Sequence, residues 1–220
     1  MDTPLKDNLL KVNLADRIAA ILQERIVAGA IAGDAPLRQD LLAAELGVSK
    51  IPLREAFAKL EQNGLVTALA NRGYFVKPLT AGEAYDVFDL RLKIEPDLTA
   101  RAAARADAAA VAVARGALES LNAAVAAASP RAGELNRVFH LALVQPAAAP
   151  VSQQMIERLH VIAERYVVQH LRPQGRSERA RREHDELFAA WAAGDGDRVR
   201  DLSSRHIAAT LGDLRKEFEG

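Results

Sequence analysis

Five histidines and no cysteine occur in this chain of 220 residues. A transition metal held here would therefore be bound by imidazole, carboxylate or amide donors rather than by thiolate. Asn136 and His140 are four apart, a spacing that puts both side chains on one face of a helix, as two ligands of one ion require. His184 and His206 flank Gly194-Asp195-Gly196, which reads as the turn between the last two helices, and each lies 11 residues from Asp195. In an antiparallel hairpin rising 1.5 Å per residue, both stand about 16 Å from the turn and can meet. Three histidines and one amide oxygen suit a divalent transition metal with positions open to water or a carboxylate. The other reading makes each histidine a hydrogen-bonded core or surface residue, and spacing alone leaves both open.

A second set of residues has the chemistry of nucleic-acid contact. Net charge is zero, with 29 basic and 29 acidic side chains, so such contact must be local. Between Ser49 and Lys77 five basic residues (Lys50, Arg54, Lys59, Arg72, Lys77) face only Glu55 and Glu61. Lys50 and Arg54, one turn apart, can donate to phosphates or to guanine O6 and N7, and the backbone N–H groups around Ser49 suit a phosphate oxygen. Asn71-Arg72-Gly73 supplies hairpin turn residues, with Arg72 placed to reach a groove and Gly73 allowing close backbone approach. Each feature by itself is equally a solvated helix face or an ordinary turn.

The elements that must position these residues follow from periodicity. Leu14, Ile18, Ile21, Leu22 and Ile26 recur at helical spacing behind a candidate N-cap, Asn13, with Gly29 ending the run; Leu41, Leu42 and Leu46 line a short second helix stopped by Gly47. Ser49 caps a third helix, with Pro52 in its first turn and Leu53, Ala56, Phe57 and Leu60 as a buried stripe. Two β-type stretches, 65–70 and 74–77, follow. This is the order of a winged helix-turn-helix with a two-stranded wing. Thr80 and Glu83 have capping-box spacing, and from there to the end the chain reads as about six helices broken at Ser129-Pro130, Pro146 to Pro150, Pro173-Gln174-Gly175 and Gly194 to Gly196. The expected fold is mainly α: a DNA-binding domain over 1–78 and an all-helical bundle over 79–220. The amino terminus lacks the order of a signal peptide, and no apolar run of bilayer length is expected, which points to the cytoplasm and away from membranes.

The segments Val48-Ser49-Lys50-Ile51-Pro52-Leu53-Arg54-Glu55-Ala56-Phe57, Leu60 to Val66 and Asn71 to Val76 resemble the DNA-binding domain of GntR-family bacterial transcription regulators. Where the family more often has Arg-Thr-Pro-Val-Arg, this chain has Lys50 to Arg54, and a lysine cannot make the bidentate fork of arginine. Residues 81–220 resemble the FCD-type effector domain of the FadR subfamily, in its VanR-like branch, through Arg91-Leu92-Lys93-Ile94-Glu95, Asn136 to His140, Glu183 to Leu187 and Arg205-His206. The resemblance implies a homodimeric, ligand-responsive regulator, a repressor in sense, on a pseudo-palindromic operator. It implies a metal, zinc or nickel, on Asn136, His140, His184 and His206, with a small carboxylate effector docked on it. Many members have Asp where Asn136 stands.

A carboxylate also needs a cation. Arg91 and Arg165 are the candidates, Arg91 having an i,i+4 ion pair with Glu95 as its other reading, and His170 is placed in the same cavity. His160, ten residues before His170 and about 80° away around the helix, reads as structural. The competing function is a metal-dependent hydrolase with an accessory DNA-binding domain. Its candidate bases, Glu183 and Glu186, stand about 100° and 200° around the helix from His184 and so are not aimed at the metal with it.

Overall fold

In the computed structural model the described residues are 4–170 and 176–219, with side chains described from Leu14 to Val168 and from Arg176 to Glu219. They form two compact units, 1–79 and 80–220.

The first unit contains α1 (Pro4–Val27), β1 (Pro36–Leu37), α2 (Gln39–Leu46), α3 (Lys50–Gln62), β2 (Val66–Leu69) and β3 (Gly73–Val76). Ile18, Leu22 and Ile26 of α1 bury against Leu53, Phe57 and Leu60 of α3, all nearly solvent-free. Each such side chain contributes about 1.5–3 kcal/mol of apolar transfer. Three local expectations are corrected. Asn13 lies inside α1 rather than ahead of its first turn, because the helix runs back to Pro4. Leu41 is 63% exposed, and Ala43 takes the inward position beside Leu42. The wing has three strands in the order β1-β3-β2: β2 and β3 pair antiparallel, Val66 to Val76 and Leu69 to Gly73, and the two-residue β1 pairs the other edge of β3. Two residues carry no period, so β1 was invisible to hydrophobic patterning. Asn71 and Gly73 both have positive φ, 59° and 86°, as the tight hairpin requires.

The second unit is helical throughout its described residues: α4 (Ala81–Ala103), α5 (Ala108–Ala126), α6 (Ala132–Val144), a 3-10 turn at Gln145–Ala147, α7 (Pro150–His170), α8 (Arg176–Ala192) and α9 (Gly196–Glu219). Thr80 caps α4 by accepting from Glu83 N–H at 3.2 Å. The reciprocal half of the capping box is relayed, since Thr80 N–H donates to the Tyr166 hydroxyl (3.2 Å), which donates to the Glu83 carboxylate (2.9 Å). Burial and that carboxylate push the Tyr166 phenol up. One helix, α5, is long and apolar enough by length and composition to cross a membrane, contrary to the expectation from sequence. Its alanine content raises its hydropathy, while Ala114, Leu118 and Leu121 pack it into the core with Phe139, Leu187 and Trp191.

Two contacts fix the helices that matter for the site. A Cβ on Gly133 would meet Val168 Cγ2 at 2.5 Å, so glycine sets the close approach of α6 to α7, three and seven residues before Asn136 and His140. Trp191, fully buried, donates from Nε1 to the Leu143 carbonyl at 3.0 Å, tying α8 to α6 one turn beyond His140.

Candidate metal centre and nucleic-acid interface

α6, α8 and α9 bring His140, His184 and His206 together, all three buried, with one donor atom of each within 4.8 Å of the others. The α8–α9 turn does what the equal offsets require: His184 Nε2 and His206 Nε2 lie 3.2 Å apart. Asp195 caps α9 by accepting from Arg198 N–H at 3.1 Å, and Gly194 takes φ 75° at the reversal. His206 Nδ1 faces the Glu183 carboxylate at 2.7 Å, which leaves its Nε2 for the cluster. His140 Nδ1 is 3.4 Å from Glu95, and its Nε2 is buried without a hydrogen-bond partner. Carboxylates on the far ring nitrogens fix tautomer and orientation, as second partners of metal-bound histidines do.

Burial keeps the imidazoles of His140 and His184 neutral. Burial pushes His140 down to about 3 despite the pull of Glu95, and burial together with His206 and His140 holds His184 well below the ordinary histidine value. A neutral imidazole presents the lone pair a metal needs. Two nitrogens on one zinc, each about 2.0–2.1 Å from it, stand roughly 3.4 Å apart in tetrahedral geometry, close to the separation seen here. An orphaned buried nitrogen, two converging ones and a cavity of about 20 Å³ bordered by Asn136, His140, His184 and His206 fit a single ion.

Glu95 sits behind this cluster. Burial opposes its charge, yet Arg91, His160 and His140 more than offset that and hold its carboxyl well below the ordinary carboxylate value. Arg91 grips it with two hydrogen bonds, Nε to Oε2 at 2.8 Å and Nη2 to Oε1 at 3.2 Å. The ion pair read as the alternative for Arg91 therefore forms, while the side chain still borders the small cavity. His160, read as structural, is drawn in from α7, its Nε2 3.1 Å from Glu95 and its ring centroid 5.1 Å from that of His140. Sequence reasoning missed Glu95 as the hub that His140 and His160 share. The available signal was its i,i+4 spacing from Arg91, together with the near impossibility of burying a glutamate alone.

Two expectations change. Arg165 is buried but lines neither this cavity nor the larger one beside it, and the groups that act on its charge are Tyr166 and Glu83. Five residues past His160, it points about 140° away around α7. Glu183, judged off-axis from His184, nonetheless reaches the site through His206 on the neighbouring helix. The His170 side chain lies outside the described residues.

In the first unit, Ser49 stands at the N-cap of α3 in extended backbone (φ −79°, ψ 164°), exposed, and its hydroxyl makes no capping bond, contrary to the cap expected of it. Lys50 and Arg54 are exposed on α3, where Lys50 pairs with Asp40 and Arg54 Nε donates to Gln39 Oε1 at 3.0 Å. The start of α2 is thus clamped to the start of α3. Arg38, exposed at the N-cap of α2, is a basic residue on this side that the sequence reading passed over. Lys59 leaves the patch: it pairs with Asp16 and ties α3 to α1. At the wing tip Arg72 lies over the Phe75 ring, 5.3 Å from its centroid.

Residues 14–76 match the family model of bacterial regulatory proteins, gntR family, and residues 86–209 match the FCD domain. The chain belongs to the GntR family. It is 30% identical over 208 residues to the HTH-type transcriptional repressor GlaR of Escherichia coli K12, covering 90% of this chain and 94% of that one. It is 29% identical to the Nta operon transcriptional regulator of Aminobacter aminovorans, over 81% of this chain and 73% of that one. Among solved structures, E. coli McbR/YncC superposes with a TM-score of 0.80 at 22% identity, covering 93% of this chain and 98% of that one, and a GntR regulator from Rhodococcus sp. RHA1 gives 0.76 at 22%, covering 92% and 97%. These two show the shared fold. The sequence relatives are transcription regulators, and GntR regulators bind operator DNA.

Proposed function

We propose that this GntR regulator is a ligand-responsive repressor of the FadR subfamily, VanR-like branch, acting in the cytoplasm as a homodimer on a pseudo-palindromic operator. In this reading residues 1–78 bind DNA through Ser49, Lys50, Arg54 and the wing tip Asn71-Arg72-Gly73, joined by Arg38. Residues 79–220 dimerise and take the effector. His140, His184 and His206, with Asn136 as the weakest donor, hold a divalent metal, zinc or nickel. The ion supplies a Lewis-acidic anchor for a small carboxylate. Arg91 adds positive charge at the cavity wall while neutralising Glu95.

The observation that carries the reading is the convergence of two imidazole nitrogens 3.2 Å apart with a third that is buried and unpartnered. The hydrolase alternative draws no support from the family match, and Glu183, its candidate base, is spent on His206 Nδ1. The deciding experiment is footprinting of the purified protein on DNA upstream of its own gene, with and without zinc and added organic acids. Protection of two half-sites about one helical turn apart, altered by an acid only in the zinc-loaded protein, is expected. Protection indifferent to both zinc and acids would overturn the effector reading.

A further inference from the structure

The cavity bordered by the histidines is too small for an organic molecule: about 20 Å³ is room for an ion or one water. A second cavity, of about 410 Å³, adjoins it, and the two share Asn136, Val167, Ala180 and His184 as a common wall. Its size falls in the range of small-molecule sites. Away from the shared wall apolar side chains predominate, Leu121 and Val125 of α5, Pro130 before α6 and Val168 of α7, with Asn122, Ser129, Ser177 and Arg181 as the polar ones. Arg181, the charged side chain on this wall among the described residues, is already engaged by Glu178 at 2.7 Å and Asp185 at 3.0 Å, so it is not an uncompensated cation for a second acid group.

We infer that the larger cavity seats the apolar body of the effector, so that the ligand is a monocarboxylate carrying an aliphatic or aryl group rather than a polyhydroxylated acid or a diacid. The inference rests on the proposed reading of the histidine cluster as the anchor for the carboxylate. The shared wall supplies the geometry: a carboxylate at Asn136 and His184 has its substituent facing the apolar chamber. A sugar acid would lose hydroxyl–water hydrogen bonds there and recover few, a cost that apolar walls impose on any buried polar group.

Calorimetric titration of the full-length protein, zinc-loaded and chelator-treated, with acetate, hexanoate, phenylacetate and gluconate tests this. Affinity should rise about fourfold for each methylene buried, so that hexanoate exceeds acetate by about two orders of magnitude. Gluconate should bind no better than acetate. Val125→Phe fills the large cavity without touching the small one, and should cut hexanoate affinity tenfold or more while leaving zinc content and acetate binding unchanged. Val168→Ala, a milder change, should shift the preferred acid toward longer chains. Equal affinity for acetate and hexanoate, or preference for gluconate, overturns the inference and leaves the metal anchor standing if binding still needs zinc. Hexanoate bound equally without zinc, and weakened by Val125→Phe, upholds the cavity and overturns the anchor. No binding of any acid to zinc-loaded protein overturns both.

Discussion

Metal loading should move the melting of the helical unit by an amount the structure lets one estimate. That unit spans 80–220, or 141 residues by its bounds. At about 2.1 cal/mol/K per residue, its unfolding entropy is about 0.3 kcal/mol/K. An ion that binds the assembled cluster and not the unfolded chain contributes about 2.7 kcal/mol at a free concentration 100 times Kd. The ratio gives an upward shift of about 9 °C on adding zinc to chelator-treated protein, read by scanning calorimetry with elemental analysis of the same sample. His206→Ala removes one of the converging nitrogens and should abolish the shift. Asn136→Ala should keep most of it, and Asn136→Asp should enlarge it, because a carboxylate is a stronger donor than an amide. Protein purified without chelator that contains no metal, and melts unchanged with zinc, nickel or manganese, would refute the argument from convergence and leave the three histidines as packing.

Further outcomes follow from individual contacts. Arg54→Ala should lose operator discrimination by about 1–3 kcal/mol, and Arg72→Ala should weaken binding to all sequences and flatten its salt dependence, both read by titration across salt concentrations. Asp40→Asn removes the carboxylate paired with Lys50 and should tighten binding to operator and random duplex alike; unchanged affinity would place the start of α2 off the DNA. Burial raises the Glu164 carboxyl above its ordinary value against the opposing pull of Arg137. Its share of stability is present below the unfolded value near 4.5 and is lost as pH rises through the folded one, and Glu164→Gln should remove that part of the stability–pH profile in denaturant titrations. Glu95→Gln should destabilise by about 3–5 kcal/mol, since it leaves the buried Arg91 charge uncompensated.

Helix α3 was legible because each local rule around it agreed with the others. Gly47 ends α2 at φ 65°, Pro52 sits in the first turn of α3, and the stripe from Leu53 to Leu60 is buried as its spacing demands. Where the reading failed, a partner distant in sequence had decided the matter. β1 exists only because β3 offers it a free edge.

The histidine cluster divides the same way. Helical periodicity and one antiparallel turn place Asn136, His140, His184 and His206, and both are local properties of the chain. The orientation of each ring is not local. His140 is turned by Glu95 from α4, 45 residues earlier, and His206 by Glu183 from α8, across the hairpin. The two carboxylates differ in kind. Glu183 is partly exposed, whereas Glu95 is enclosed and needs Arg91 to remain charged, so the helix that begins at Thr80 is tied to the cluster through a buried ion pair rather than through apolar packing alone. A substitution at Glu95 therefore changes both the aim of His140 and the neutralisation of Arg91, while one at Glu183 changes the aim of His206 and leaves its surroundings solvated. Metal affinity should fall in both variants, but the melting temperature of the metal-free protein should fall steeply only for Glu95. Equal losses in the metal-free state would mean that Glu183 also supports packing and that the asymmetry of burial is not what distinguishes the two.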